Sequence, residues 1–285
     1  MPVSDGARGA AIHTRDLEVT YALAGIRIQA LKPTTLTIDR GAFVVLLGAS
    51  GAGKSTLLRA LNGLVRPTSG HVIAEDAGDL SLPGALQRHR RQTGMVFQQH
   101  HLIGRISVLR NVLMGRLGYH GGWATLMPWP RHDKELALVS IERVGLLDRA
   151  LQRADQLSGG QQQRVGVARA LVQAPRLLLA DEPVASLDPA TAEHLLDLMH
   201  GICKSDGLTT VVSLHQVDFA RRFADRIIGL KQGAVAFDGT PAQLTNERAH
   251  ALYANAMGGG ISPNDARDLP SSSSLSVVQP AGVLV

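Results

Sequence analysis

The 285-residue chain has a single cysteine, Cys203. One thiol excludes an internal disulfide and fits a reducing compartment, and Cys203 reads as a small residue packed in a helix. No apolar run approaches the roughly 18 residues of a membrane span, and Met1–Ala10 holds no apolar signal core. Together these absences point to a soluble, cytoplasmic chain. Aromatic residues are scarce, 4% of the whole. Both tryptophans, Trp123 and Trp129, fall in one Gly/Pro-rich stretch, where they read either as a partner contact or as loop packing. His100 and His101 lack Cys, Asp or Glu companions at ligand spacing, so no metal site is expected there. Basic residues outnumber acidic ones, 29 to 24, for a net charge of +5. They are scattered, with Arg88-His89-Arg90-Arg91 as the one cluster, which reads as a solvated surface and leaves proximity to an anionic membrane face open. What is present is a 45% hydrophobic chain, enough for a well-buried core in one large domain or two lobes.

Phe43-Val44-Val45-Leu46-Leu47 reads as a buried strand and Leu57–Leu61 as the first turns of a helix. Between them runs Gly48-Ala49-Ser50-Gly51-Ala52-Gly53-Lys54-Ser55-Thr56. A strand, a glycine loop and a helix form the setting of a phosphate-binding P-loop. The glycines let backbone N–H groups turn inward around a triphosphate, and the helix N-terminus adds unpaired N–H groups and a positive dipole end. Lys54 is placed to reach the β- and γ-phosphates, and the Ser55 hydroxyl to ligate Mg²⁺.

Upstream, Ile12–Tyr21 alternates like a strand, and Ile26–Leu31 and Leu36–Asp39 read as a second and a third. They suggest a small antiparallel β subdomain against a nucleotide-binding sheet. Tyr21 reads either as an aromatic that stacks on adenine or as a strand-end tyrosine. Downstream, Arg66–Gly70 is a turn, His71–Ile73 a return strand, and residues 76–84 a loop. Thr93–Gln99 is an apolar run ending in amides, where Gln98 would offer its amide to Mg²⁺ or a water. From residue 100 to about 153 the spacing is helical, with Val108–Met114 and Glu135–Val144 its clearest parts. Leu157-Ser158-Gly159-Gly160-Gln161 then opens the helical run Val165–Val172. Ser-Gly-Gly at a helix start is a second anion-binding N-terminus. One triphosphate needs only one P-loop, so a second such site suggests that two chains share each nucleotide.

Leu177–Ala180 is a buried strand ending in Asp181-Glu182. The first carboxylate is suited to hold Mg²⁺, the second to polarise the water that attacks the γ-phosphate. Asp188, in Ser186-Leu187-Asp188, also reads as the cap of a helix over Thr191–Met199. His215, after the buried strand Thr209–Leu214, would contact the γ-phosphate and align the water, or is a satisfied histidine. Ile227–Leu230 and Ala234–Phe237 read as the last strands and Thr240–Met257 as helical. The Gly-, Ser- and Pro-rich stretch from Gly258 reads as a disordered tail. With one P-loop and one Ser-Gly-Gly start, there is no internal duplication.

This ordered set resembles the nucleotide-binding subunit of an ABC transporter over roughly residues 12 to 250. The resemblance implies an α/β fold: a P-loop NTPase (RecA-like) core, an antiparallel β subdomain and an inserted α-helical subdomain at about 99–165. The ATPase domain would span 12–257, between a flexible N-terminus (1–11) and a tail (258–285). The stretches correspond to the family's Walker A, Q-loop, signature, Walker B, D-loop and H-loop. By resemblance, ATP is bound by Tyr21, Gly48, Ala49, Ser50, Gly51, Ala52, Gly53, Lys54, Ser55, Thr56, Gln98, Ser158, Gly159, Gly160, Gln161 and Asp188. Mg²⁺ falls to Ser55, Gln98 and Asp181, while Glu182 is the catalytic carboxylate and His215 the switch histidine. Ser158, Gly159 and Gly160 would meet the γ-phosphate held by an opposing copy, which implies a head-to-tail ATP-sandwich dimer. Further implied partners are transmembrane permease subunits and, indirectly, a periplasmic solute-binding protein, with no nucleic acid, at the cytoplasmic face of a bacterial inner membrane. Phe97–Ile103, Asp181–Pro189, Ser213–Asp218 and Val108–Tyr119 resemble the phosphonate-import subfamily. ATP hydrolysis coupled to uptake of phosphonates or related phosphorus oxyanions is therefore expected. The alternatives are an importer for an amino acid, metal or other oxyanion, and a non-transport ABC ATPase on DNA or ribosomes. A single cassette without coiled-coil or zinc insertions argues against the last.

Overall fold

Phe43–Leu47 form β3, and all five side chains are buried. The strand is apolar on both faces because both are covered. Phe43, Val45 and Leu47 face one hydrophobic core, and Val44 and Leu46 face the other. The computed structural model describes residues 10–23, 26–99, 101–120, 128–254 and 276–277.

In chain order, β1 (Ala10–Leu23) and β2 (Ile26–Asp39) precede β3, and α1 (Lys54–Leu61), β4 (Ser69–Ala74), β5 (Gly78–Asp79), α2 (Ala85–Gln92) and β6 (Thr93–Val96) follow it. Next come α3 (Val108–Leu113), a 3-10 turn over Met114–Tyr119, α4 (Arg131–Arg143), α5 (Gly159–Leu171), β7 (Leu177–Ala180) and α6 (Pro189–Asp206). The chain continues through β8 (Thr209–Ser213), α7 (Val217–Phe223), β9 (Arg226–Lys231), β10 (Ala234–Gly239), α8 (Asn246–Tyr253) and β11 (Ser276–Val277).

The central sheet is ordered β10-β9-β3-β8-β7-β6. All its pairings are parallel except that of β10 with β9. This sets the carboxyl ends of β3, β8 and β7 side by side, where open parallel sheets bind ligands. The second sheet is antiparallel, ordered β11-β1-β4-β5, with β2 on β1 as well. It is pinned to the P-loop through one glycine: Lys32 N–H donates to the Gly233 carbonyl (2.8 Å), and Gly233 N–H to that of Ala52 (3.1 Å). Between β6 and β7 stand α3, α4 and α5, which pack on one another, and α5 also packs on β6. Among the described residues no helix is long and apolar enough to cross a membrane.

The structure departs from the sequence expectations in several places. β2 is one strand rather than two. Pro33 signals a break, but it stands in no paired position, at a register shift opposite Glu18 and next to a bulge of β1 where Asp16 takes φ 47°. There the Thr14 hydroxyl bridges the gap, accepting from Leu36 N–H (2.9 Å) and donating to the Thr34 carbonyl (3.0 Å). The basic cluster lies on α2, which the sequence pattern does not reveal because its buried residues are only Ala85 and His89. α6 runs beyond Met199 to Asp206, and in the stretch expected to be helical from Thr240 a 3-10 turn over Pro241–Gln243 precedes α8, with residues 255–257 outside the described residues. Trp129 is half-buried against the larger core and edge-on to His120 (5.7 Å), which is the loop-packing alternative. Where composition predicts a disordered tail, β11 pairs with β1, Val277 opposite Tyr21. His100, Trp123, residues 1–9 and the remainder of the tail lie outside the described residues.

Candidate active site

The loop after β3 is a cradle shaped by its neighbours. A Cβ on Gly48 (φ +149°) would lie 2.3 Å from the Leu230 carbonyl oxygen, and one on Gly53 (φ +104°) 2.7 Å from that of Ala30. β9 and β2 thus press on the two ends of the loop, and only glycine fits there. Ser50 and Gly51 are exposed, Ala49, Gly53, Ser55 and Thr56 are half-buried, and Gly48, Ala52 and Lys54 are buried. No side chain caps the N-terminus of α1, and no acid stands in its first turn. Its N–H groups and positive dipole end form an anion seat. Lys54 is 3% exposed. Its Nζ donates to the loop carbonyls of Gly48 (2.8 Å) and Ala49 (3.1 Å). Burial pushes the Lys54 ammonium below its ordinary pKa, against the opposing pull of Glu182 and Asp181.

β7 ends in the two acids. Asp181 Oδ1 accepts hydrogen bonds from Ser55 Oγ (2.8 Å) and Ser213 Oγ (3.0 Å). Hydroxyl and carboxylate oxygens side by side suit a hard divalent cation. Glu182 Oε1 lies 2.6 Å from His215 Nε2 and 3.8 Å from Lys54 Nζ. The His215 hydrogen bond is the chief reason its carboxyl group sits below the usual range. The Glu182 backbone is left-handed, φ 48°, and its N–H donates to Ser213 Oγ (2.8 Å). His215 is anchored in turn, its carbonyl accepting from the Tyr253 hydroxyl (2.8 Å). Lys54, Ser55, Asp181, Glu182 and His215 thus form one contiguous cluster.

The sequence reading gives neither Ser213 nor Tyr253 a role at the site. A signal for Ser213 existed: it is a polar residue ending the fully buried strand β8, two positions before His215. Tyr253 left none, since an aromatic in a late helix has no pattern tying it to the site.

The remaining candidates stand apart from this cluster. Ser158 caps α5 in a capping box. Its N–H donates to Gln161 Oε1 (3.0 Å), and its Oγ accepts from Gln161 N–H (3.4 Å). Ser158 and Gly159 are exposed. A Cβ on Gly160 would meet Thr191 at 2.6 Å, so the N-termini of α5 and α6 are in contact. Asp188 caps α6, accepting from Thr191 N–H (3.0 Å). Hydrogen bonds from Thr191 hold its carboxyl group below the usual range. Gln98 is exposed beyond β6. Tyr21 is half-buried opposite Ile28 of β2, packed against the core that includes α1. Among the described residues no hydrogen bond or ion pair joins Tyr21, Gln98, Ser158–Gln161 or Asp188 to the cluster.

The ABC transporter family matches residues 31–185. The phosphonates import ATP-binding protein PhnC 2 of Cupriavidus metallidurans is 63% identical over 85% of this chain and 88% of its own. The phosphite import ATP-binding protein PxtA of Stutzerimonas stutzeri is 56% identical over 80% and 82%. Among solved structures, a dimeric post-hydrolysis state of the ATP-binding cassette MJ0796 bound to ADP and Pi superposes with a TM-score of 0.71 at 36% identity, covering 81% of this chain and 98% of that one.

Proposed function

This chain belongs to the ABC transporter family of ATP-hydrolysing cassettes, and from that premise we propose that it energises import of phosphonates or a related phosphorus oxyanion. The observation that carries the mechanism is the contact chain Lys54–Glu182–His215 beside Ser55–Asp181–Ser213. Gly48–Thr56 would hold the phosphates of ATP, with Lys54 carrying its charge toward the β- and γ-phosphates. Ser55 and Asp181 would hold Mg²⁺, joined by Gln98 from beyond β6. When bound, the cation neutralises charge across the β- and γ-phosphates. Glu182, ionised and oriented by His215, would take the proton of the attacking water. Tyr21 would stack on the adenine.

Residues 12–257 act in this scheme as one cassette, with 99–165 as a lobe that moves. Ser158 and Gly159, exposed on that lobe, and the half-buried Gly160 would complete the site of a second copy arranged head to tail, with Asp188 at the same junction. The similarity to a dimeric cassette supports this arrangement. A cleft of about 790 Å³ lined by α2, the 3-10 turn, α5 and Phe97 lies at the base of the lobe. It would seat a cytoplasmic loop of a permease, so that the protein works peripherally at a membrane. A periplasmic solute-binding protein would act through that permease.

The test is uptake in cells with the protein intact, deleted or carrying Glu182→Gln. Loss of phosphonate uptake in both altered strains is the expected result. Retention in both, with no second system present, would remove phosphonate as the cargo. Phosphite is the second reading, because one relative is named for it. Running both substrates in competition separates the two.

A further inference from the structure

Resting on the reading that His215 orients Glu182, we propose that Tyr253 is a positioning residue for hydrolysis: its hydroxyl sets the backbone that carries His215, which makes helix α8 part of the working site. His215 stands in the short connection between β8 and α7. On either side of it the chain is held by main-chain bonds, Leu214 N–H to the Leu46 carbonyl (3.0 Å) and Ala220 N–H to that of Gln216 (3.3 Å). At His215 the bond comes from a side chain, the Tyr253 hydroxyl donating to its carbonyl (2.8 Å). The His215 side chain is 36% exposed, so packing holds it loosely and the tilt of its peptide decides where Nε2 falls. A swing of that peptide would carry Nε2 away from Glu182 Oε1, now 2.6 Å distant.

The same hydroxyl lies beside the first residue of the P-loop. Burial raises the Tyr253 phenol above its ordinary pKa, and the Gly48 backbone opposes that rise. The phenol therefore stays protonated at neutral pH and remains a donor. Gly48 in turn accepts from Lys54 Nζ (2.8 Å). One oxygen thus sits between the start of the phosphate cradle and the histidine loop.

A brace must itself be fixed, and α8 is tied at both ends. Arg221 of α7 donates from Nη2 to the Leu244 carbonyl (3.0 Å) and to Asn246 Oδ1 (2.7 Å). Thr245 caps the helix start, accepting from Arg248 N–H (3.3 Å), and Lys231 Nζ donates to the Ala251 carbonyl (2.7 Å) near its end. Leu252 is buried so closely on β9 that a Cβ at Gly229 would lie 2.7 Å from it. Gly229 is paired with Leu47, the residue before the P-loop. The helix is therefore seated on the strands that carry the cradle, and Tyr253 reaches from it to the histidine. A phenylalanine would pack on the same core and supply no bond.

The experiment uses the full chain. Tyr253→Phe keeps the ring and removes the oxygen. Its kcat for phosphate release should fall on the order of 10-fold, while ATP affinity and KM stay within about twofold of parental. Retained ATP affinity also shows that the variant is folded. The nitrogen NMR signal of His215 Nε2, read without nucleotide, should shift. The discriminating arm is a double-mutant cycle with His215→Ala, followed as single-turnover phosphate release so that slow rates are readable. If Tyr253 acts through the imidazole, Tyr253→Phe causes no further loss once that ring is gone. An equal loss on both backgrounds would mean that the hydroxyl only stabilises the fold, and the proposal would be wrong. Weakened ATP affinity with unchanged kcat would assign the hydroxyl to the P-loop and overturn it as well. A slow His215→Ala beside a parental Tyr253→Phe sinks the positioning role alone. If His215→Ala itself turns over at the parental rate, the reading of His215 fails and the proposal falls with it.

Discussion

Ser213→Ala removes one oxygen and should disturb both acids at once. The Ser213 hydroxyl is fully buried, accepts from Glu182 N–H (2.8 Å) and donates to Asp181 Oδ1 (3.0 Å). A hydrogen bond to a charged group is worth about 1.5–3 kcal/mol, and a buried N–H left without a partner costs about 1–3 kcal/mol. With Asp181 still held by Ser55, the combined loss should be about 3 kcal/mol. For a domain of this size that is a fall in Tm of roughly 6–12 °C. Function should suffer more selectively. Glu182 holds a left-handed backbone that costs of order 1–3 kcal/mol, and its N–H bond to Ser213 is what pins it there. Freed from that bond, the carboxylate should drift from His215 and Lys54, lowering hydrolysis on the order of 10- to 100-fold. ATP affinity should stay close to parental, because the P-loop is untouched. The control lies on the same strand. The buried Thr210 hydroxyl has no oxygen or nitrogen partner among the described residues and lies beside the weakly bonding Cys203 thiol. Thr210→Val should therefore be neutral or stabilising. Urea melts, nucleotide titrations and phosphate release on the two variants decide the matter. A Ser213→Ala protein as stable and active as Thr210→Val would refute the pinning argument.

Glu182→Gln should bind ATP normally while phosphate release falls on the order of 10²- to 10⁴-fold; near-parental turnover would remove Glu182 from its role. His215→Ala should raise the Glu182 pKa, read by carboxyl carbon NMR, since the imidazole is the main cause of its depression. A depressed carboxylate contributes stability above its unfolded value of about 4.3, and that stability is lost as pH falls through the lower folded value. The variant should therefore be less stable at neutral pH and lose less on acidification; an unchanged acid limb in urea melts would contradict this. Gly48→Ala, whose Cβ would meet the Leu230 carbonyl, should abolish ATP binding and lower Tm. Gly51→Ala meets nothing within 4 Å and should cost only about 1–2 kcal/mol for its left-handed backbone; equal damage at both positions would show that the clash is irrelevant.

The parts of the site legible in the sequence are those whose chemistry sits beside a buried strand. Phe43–Leu47 announces itself as a strand and Lys54–Thr56 as the helix start after it; Leu177–Ala180 points at Asp181 and Glu182 in the same way. Long-range pairing was not legible. Nothing near Leu36 says that the Thr14 hydroxyl bridges the gap between Thr34 and Leu36 and helps join two apparent strands into one. Helix α2 escaped because a buried histidine stands where helical periodicity looks for an apolar residue. Tyr253 lies 38 residues from the His215 carbonyl that it anchors, and only the fold brings them together. For Asp188, the cap geometry is what the structure displays, and the sequence had offered both that and a nucleotide contact.

One chain closes only half of the proposed site, and this has a kinetic consequence. The start of α5 has no acid in its first turn, and Ser158 and Gly159 face outward, so its positive end is uncompensated. A helix end stabilises an anion by only about 0.3–1 kcal/mol when exposed. That is far too little to hold a nucleotide alone, and it gains value only against a phosphate already bound by a P-loop. A single chain should accordingly bind ATP, because Gly48–Thr56, Ser55 and Asp181 are complete in it, yet hydrolyse slowly. In the proposed arrangement two chains surround the γ-phosphate. For the isolated subunit, phosphate release should then rise with the square of protein concentration at the dilute end, while nucleotide affinity stays constant. Ser158→Glu, which sets a carboxylate at that helix start, should suppress hydrolysis without weakening binding of ATP. A rate per chain independent of concentration, in the parent as in the variant, would mean that one chain hydrolyses ATP alone, and the shared site would have to be abandoned.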